Sequence, residues 1–139
     1  MKVGGKMPVI TNQQVDNIDK QCSNGWKLDV HYYLFHNEKT LIKKINIDDE
    51  NYLEFKLRYN GKNQISLHIS KFYHKSNDKY SSTSGMGKNA VLDLTEHKRK
   101  NVSNLIAFTN SLDDEKLMKI NKDTKVSSGY GLIIESEEF

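Results

Sequence analysis

Residues 52–74 constrain the fold of this chain more tightly than any other stretch. From Tyr52 to Tyr59, Leu53, Phe55 and Leu57 alternate with Glu54, Lys56 and Arg58, the period of two that a half-buried strand requires. The same period returns from about Gln64 to His74, with Ile65, Leu67 and Ile69 on one side and Ser66, His68, Ser70, Phe72 and His74 on the other. Asn60-Gly61 lies between the two runs, and because both residues tolerate positive φ the pair predicts a tight hairpin turn.

Neighbouring segments extend this pattern. Trp26, Leu28, Val30 and Tyr32 alternate with Lys27, Asp29, His31 and Tyr33, which predicts a strand, and Leu41–Ile47 predicts another after a turn at residues 36–39. Residues 75–88 read as a polar loop with three lysines and two glycines, followed by a short strand at 90–94. Thr95 is a sound N-cap for a helix from Glu96, and Val102, Leu105, Ile106, Phe108 and Leu112 form its apolar stripe over four turns. The expected fold class is therefore α+β: a curved antiparallel sheet of four or more strands followed by a packing helix. Residues 1–25 read as a loose lead-in with a short helix near Gln14–Lys20, residues 26–112 as the domain, and residues 113–139 as an extension with an acidic tip.

At 139 residues the chain fits one domain able to bury a core without staples. The net charge of +3 is too small to argue for nucleic acid by itself, so the distribution of charge matters more. Residues 39–44 and 56–100 are lysine-rich, whereas 113–115 and 135–138 are acidic. One cysteine, Cys22, cannot form an intrachain disulfide, and no run has the length of a membrane span or the apolar core of a signal peptide. The expectation is an intracellular protein, phage- or virus-encoded origin included, with no membrane partner.

Enzyme chemistry finds little support in the linear pattern, and the expectation is a protein that is not an enzyme and takes no cofactor. Gly87-Lys88 resembles the end of a phosphate-binding loop, but the required first glycine falls on Ser82, and Asn89 stands where Ser or Thr would hold magnesium. His31, His36, His68, His74 and His97 form no set with metal-ligand spacing, so no metal site is expected. Asp48-Asp49-Glu50 and Asp113-Asp114-Glu115 read as caps of turns and helix starts.

A different chemistry is legible between residues 59 and 95. Tyr59-Asn60-Gly61-Lys62 is a basic aromatic turn, and the strand after it ends in Lys71-Phe72-Tyr73. Gly87-Lys88 then leads into Val91-Leu92-Asp93-Leu94-Thr95. Phe72 falls on the polar side of its strand, near Lys56, Arg58 and Lys62. Cations that follow phosphates and rings that stack on unpaired bases are the equipment for holding a single strand.

In this order of elements, residues 52–112 resemble the single-stranded-DNA-binding transcriptional coactivators typified by positive cofactor four, with whirly and Pur-alpha domains more distant. The resemblance covers a little under half the chain, and Ser70-Lys71 stands where that family has an arginine before its aromatic pair. It implies base stacking near Tyr59 and on Phe72 or Tyr73, and phosphate contacts from Lys62 and Lys88, supported by Arg58, Lys71, Lys75 and Lys79. It further implies a homodimer through Val102, Ile106 and Phe108. The implied function is single-stranded DNA binding with little sequence preference, in replication, recombination or transcription, with single-stranded RNA as an alternative. Glu135, Glu137, Glu138 and Phe139 are similar to the acidic, phenylalanine-ended tips of bacterial and phage single-stranded-DNA-binding proteins, which implies a protein partner for the tail. The competing expectation is a protein–protein interaction factor, such as a small phage or plasmid protein that binds a host protein.

Overall fold

The computed structural model of the chain describes residues 9–59, 64–74, 81–93, 102–127 and 133–134. Among them, helix α1 spans Asn12–Gln21, strand β1 Lys27–Leu28, helix α2 Val30–His36, β2 Leu41–Asn46, β3 Asn51–Tyr59, β4 Gln64–His74 and β5 Ser81–Asp93. Helix α3 (Val102–Phe108), a 3-10 turn (Thr109–Ser111), helix α4 (Asp114–Asp123), β6 (Val126–Ser127) and β7 (Ile133–Ile134) follow. The fold is α+β. The strands pair antiparallel in strict chain order, β1 to β7, and β2–β5 form the broad centre of the sheet. The sheet is not strongly curled, against the expectation of a curved one.

Alternation puts Leu41, Leu53, Phe55, Leu57, Ile65, Leu67 and Ile69 on one face, and these side chains are buried with Ile18 of α1, Leu105 and Ile106 of α3, Leu112, and Leu117 of α4. The helices therefore cover one side of the sheet. Trp26 completes this core and also fastens it, since its indole Nε1 donates to the Leu112 carbonyl at 3.0 Å. The backbone N–H of Ser23 and the side-chain amide of Asn24 donate to Oγ1 and the carbonyl of Thr109, at 3.0 and 2.6 Å. Asn24 and Gly25 both take positive φ there, 60° and 82°, which turns the chain sharply enough to bring Trp26 inward.

Several segments depart from expectation for identifiable reasons. The short helix expected near Gln14–Lys20 is α1, longer than expected, with a complete capping box between Thr11 and Gln14 and with Ile18 set in the core. The strand expected over Trp26–Tyr33 keeps only Lys27–Leu28. Asp29 ends it by accepting the Tyr32 N–H at 3.0 Å as the N-cap of α2, and Asn37 closes that helix in the left-handed region. An eight-residue alternation is thus overridden by one capping side chain.

Strand β5 begins at Ser81, well inside the expected loop. Its polar residues have poor strand propensity, but the eleven residues of β4 present backbone groups that need partners along their whole length. Between the Ser70–Gly87 and Phe72–Thr83 pairs β5 holds two more residues than β4, a local bulge. Beyond the sheet, α3 ends at Phe108 and passes into the 3-10 turn, so Leu112 is core but not helical. The acidic cluster at 113–115 starts α4, with Asp113 accepting the Lys116 N–H at 2.8 Å, and Asp48 accepts the N–H groups of Glu50 and Asn51, as expected of capping residues.

Candidate nucleic-acid interface

The sheet face away from α1, α3 and α4 is built in four rows set by strand register. Asn46, Tyr52 and Phe72 form the first row; Lys44, Glu54, Ser70 and Gly87 the second; Ile42, Lys56, His68 and Asn89 the third; Arg58, Ser66 and Val91 the fourth. Alternate residues along a strand are about 6.7 Å apart, so the rows span roughly 20 Å.

Tyr52 and Phe72 are direct cross-strand partners, and their rings stack with centroids 5.1 Å apart and planes within 8°. Lys44 Nζ sits 5.3 Å from the Tyr52 centroid. At the other end α2 contributes Tyr32, whose hydroxyl accepts from Arg58 Nη1 at 2.6 Å. Lys56 Nζ and the Arg58 guanidinium lie 5.5 and 5.8 Å from the Tyr32 ring centre. Rings thus stand at both ends of the face, with the cations between them.

Two carboxylates temper this positive charge. Lys56 Nζ lies 3.4 Å from Asp29 Oδ2 and 3.8 Å from Glu54 Oε1. The Glu54 side chain is only 12% exposed, and burial raises its carboxyl above the usual carboxylate range despite the opposing pull of Lys56 and Lys44. His68 moves the other way: burial lowers it, and Arg58 and Lys56 lower it further. Lys44, Lys56 and Arg58 thus face two carboxylates and a half-buried imidazole.

Of the residues singled out in the sequence, Arg58 and Phe72 lie on this face. Lys71 is half-buried on the other side of β4, opposite Leu53. Tyr59 and Tyr73 are placed by backbone register, against Ile65 and Asn51. Lys62, Lys75, Lys79, Glu135, Glu137, Glu138 and Phe139 lie outside the described residues.

Lys88 requires a correction. It pairs with Ile69 on the core side, is 1% exposed, and its Nζ donates to the Asn121 carbonyl of α4. It shares strand parity with Ala90, which faces Leu67, so register carries it inward and away from any phosphate on the open face. Of the expected dimer stripe, Ile106 is core and Phe108 packs against it partly buried, while Val102 is described only as the first residue of α3.

Tyr32, Lys44, Tyr52 and Glu54 were not legible as site residues. Same-face alternation pointed to Glu54 beside Lys56 and Arg58, but only register sets Lys44 and Tyr52 next to them, and Tyr32 was hidden in a misread strand. Among the described residues no group of three or more His, Cys, Asp or Glu could hold a metal ion, and no helix is long and apolar enough to cross a membrane. No family model, curated protein or solved structure matches the chain.

Proposed function

We propose that the open face binds single-stranded nucleic acid with little sequence preference. The observation that carries this reading is the stacked Tyr52–Phe72 pair with Lys44, Lys56 and Arg58 in the rows beside it, on the sheet face that α1, α3 and α4 leave uncovered and that α2 meets through Tyr32 at the far end. Phe72, half-buried, offers part of a ring to an unpaired base, and Lys44, Lys56 and Arg58 sit one, two and three rows away, where successive phosphates of a bound strand would pass. Every base has a π-face and every nucleotide a phosphate, so such a site tolerates sequence. The face as proposed is complete on one chain.

Salt-titrated fluorescence anisotropy with a labelled thirty-base oligothymidine tests the reading. The logarithm of affinity should fall with the logarithm of salt at about −0.7 per phosphate neutralised. A salt-insensitive affinity, or equal competition by duplex, contradicts it. A protein-partner reading draws on α2, where Phe35 is 68% exposed beside His31, with ring centroids 4.6 Å apart. It predicts a partner that survives nuclease treatment and is lost in Phe35→Ser.

A further inference from the structure

The open face holds more chemistry than binding requires. A carboxylate at the centre of a phosphate-binding surface repels the ligand, yet Glu54 stands between Lys44 and Ser70 in the second row. His68 stands one row away, directly opposite Lys56. A Cβ on Gly87 would lie 3.1 Å from His68 Cε1 and 3.4 Å from Nε2, so the imidazole leans off its own row into that of Glu54, Ser70 and Gly87. A side chain at position 87 would fill the space that the ring uses. Glu54 on β3 and this imidazole over β5 therefore flank Ser70, across strand spacings of about 4.8 Å.

We propose that Glu54 and His68 are an acid–base pair that cleaves single-stranded RNA, with Lys56 and Arg58 holding the scissile phosphate. This rests on the single-strand reading of the same face, and it selects RNA because the ribose 2′-hydroxyl is the nucleophile. The neutral His68 imidazole takes the 2′-hydroxyl proton. The 2′ oxygen attacks phosphorus, forming the P–O2′ bond as the P–O5′ bond breaks, and the Glu54 carboxylic acid gives its proton to the departing 5′ oxygen. The products are a 2′,3′-cyclic phosphate and a 5′-hydroxyl. Atoms and charge balance without a co-reactant, and exchange with solvent returns the proton from His68 to Glu54. Lys56 and Arg58 are catalytic residues in this scheme, since they neutralise the charge that grows on the non-bridging oxygens. Tyr52 and Phe72 seat a neighbouring base.

The electrostatics suit this division of roles. Burial and Asp29 raise Glu54 while Lys56 and Lys44 oppose them; burial, Arg58 and Lys56 lower His68. In the same rows β5 contributes the uncharged Gly87 and Asn89, and α2 presents Asp29 at its N-cap. Glu54 is thus shifted up and His68 down, toward one another, and activity that needs both groups should follow a bell-shaped pH profile.

The test uses the full chain, a labelled single-stranded RNA, and the same sequence with 2′-deoxy sugars, with binding by anisotropy and products by mass spectrometry. The expected result is binding of both strands and cleavage of the RNA alone, with products carrying the mass of a cyclic phosphate and a bell-shaped pH profile. His68→Gln and Glu54→Gln, purified identically, should each lose at least about 100-fold in cleavage rate while still binding the deoxy strand. Binding without cleavage between pH 4.5 and 8 would overturn this inference and leave the single-strand reading intact. Cleavage unchanged in both variants would also overturn it, by assigning the activity to a contaminant. Absence of binding to either strand at low salt would overturn both.

Discussion

Lys88→Met probes the placement of β5 and the exclusion of Lys88 from the site in one protein. The wild-type ammonium is 1% exposed between the sheet and α4, and donates to the Asn121 carbonyl. Methionine has nearly the same length and flexibility, so it fills the space without a large cavity. Losing a hydrogen bond from a charged donor costs about 1.5–3 kcal/mol. Removing the buried charge restores an ionic desolvation penalty of several kcal/mol, so the variant should gain roughly 1–3 kcal/mol at pH 7. For a chain of 139 residues that corresponds to a rise in Tm of about 3–10 °C by calorimetry.

The pH dependence supplies an independent sign. Burial lowers the Lys88 pKa from its ordinary 10.5, so between the folded value and 10.5 the unfolded chain binds more protons than the folded one. Wild-type stability therefore gains from this residue as pH rises through that window, and the advantage of Lys88→Met should shrink there. Affinity for single strands should stay within about twofold, since the side chain is on the opposite side of the sheet. A variant destabilised by more than about 2 kcal/mol, with binding lost at the same time, would refute both the burial and the exclusion.

Other perturbations test single contacts. Phe72→Ala should weaken single-strand binding by about 1–3 kcal/mol, read by anisotropy, with the thermal transition little changed. Asp29→Ala removes the N-cap of α2 and the carboxylate near Lys56, and should cost about 0.5–2 kcal/mol in urea unfolding. Phe55→Ala, at the centre of the covered face, should cost about 3–5 kcal/mol. Burial and the nearby Asp19 push the Cys22 thiol up to about 11, so its alkylation by iodoacetamide at pH 8 should be far slower in the folded chain than in urea.

How much of this was legible varied with the kind of signal. The ranges of β2, β3 and β4 followed from alternation, because Leu53-Phe55-Leu57 and Ile65-Leu67-Ile69 cannot be buried together in any other register. Helix α2 was not legible, since a side-chain–backbone bond at Asp29 decided between two local structures that the residue pattern allowed. Strand β5 was hidden because its polar residues gain their place from the pairing demand of β4 rather than from their own propensity. The site suffered most. Glu54 and Lys56 share a face of β3 by alternation, but only the observed register sets His68 of β4 beside them, and the same register took Lys88 away.

A nitrogen–proton correlation titration of isotope-labelled protein with a short oligothymidine tests the account most directly, because it reads every backbone amide at once. The account predicts salt-dependent shifts confined to the open face: Lys44, Tyr52, Lys56, Ser70 and Phe72, together with Tyr32 on α2. The amides of Leu105, Leu117 and Asn121, in the helical layer on the far side, should stay in place. Shifts centred on that helical layer, or none at low salt, would contradict the assignment of the open face to single strands.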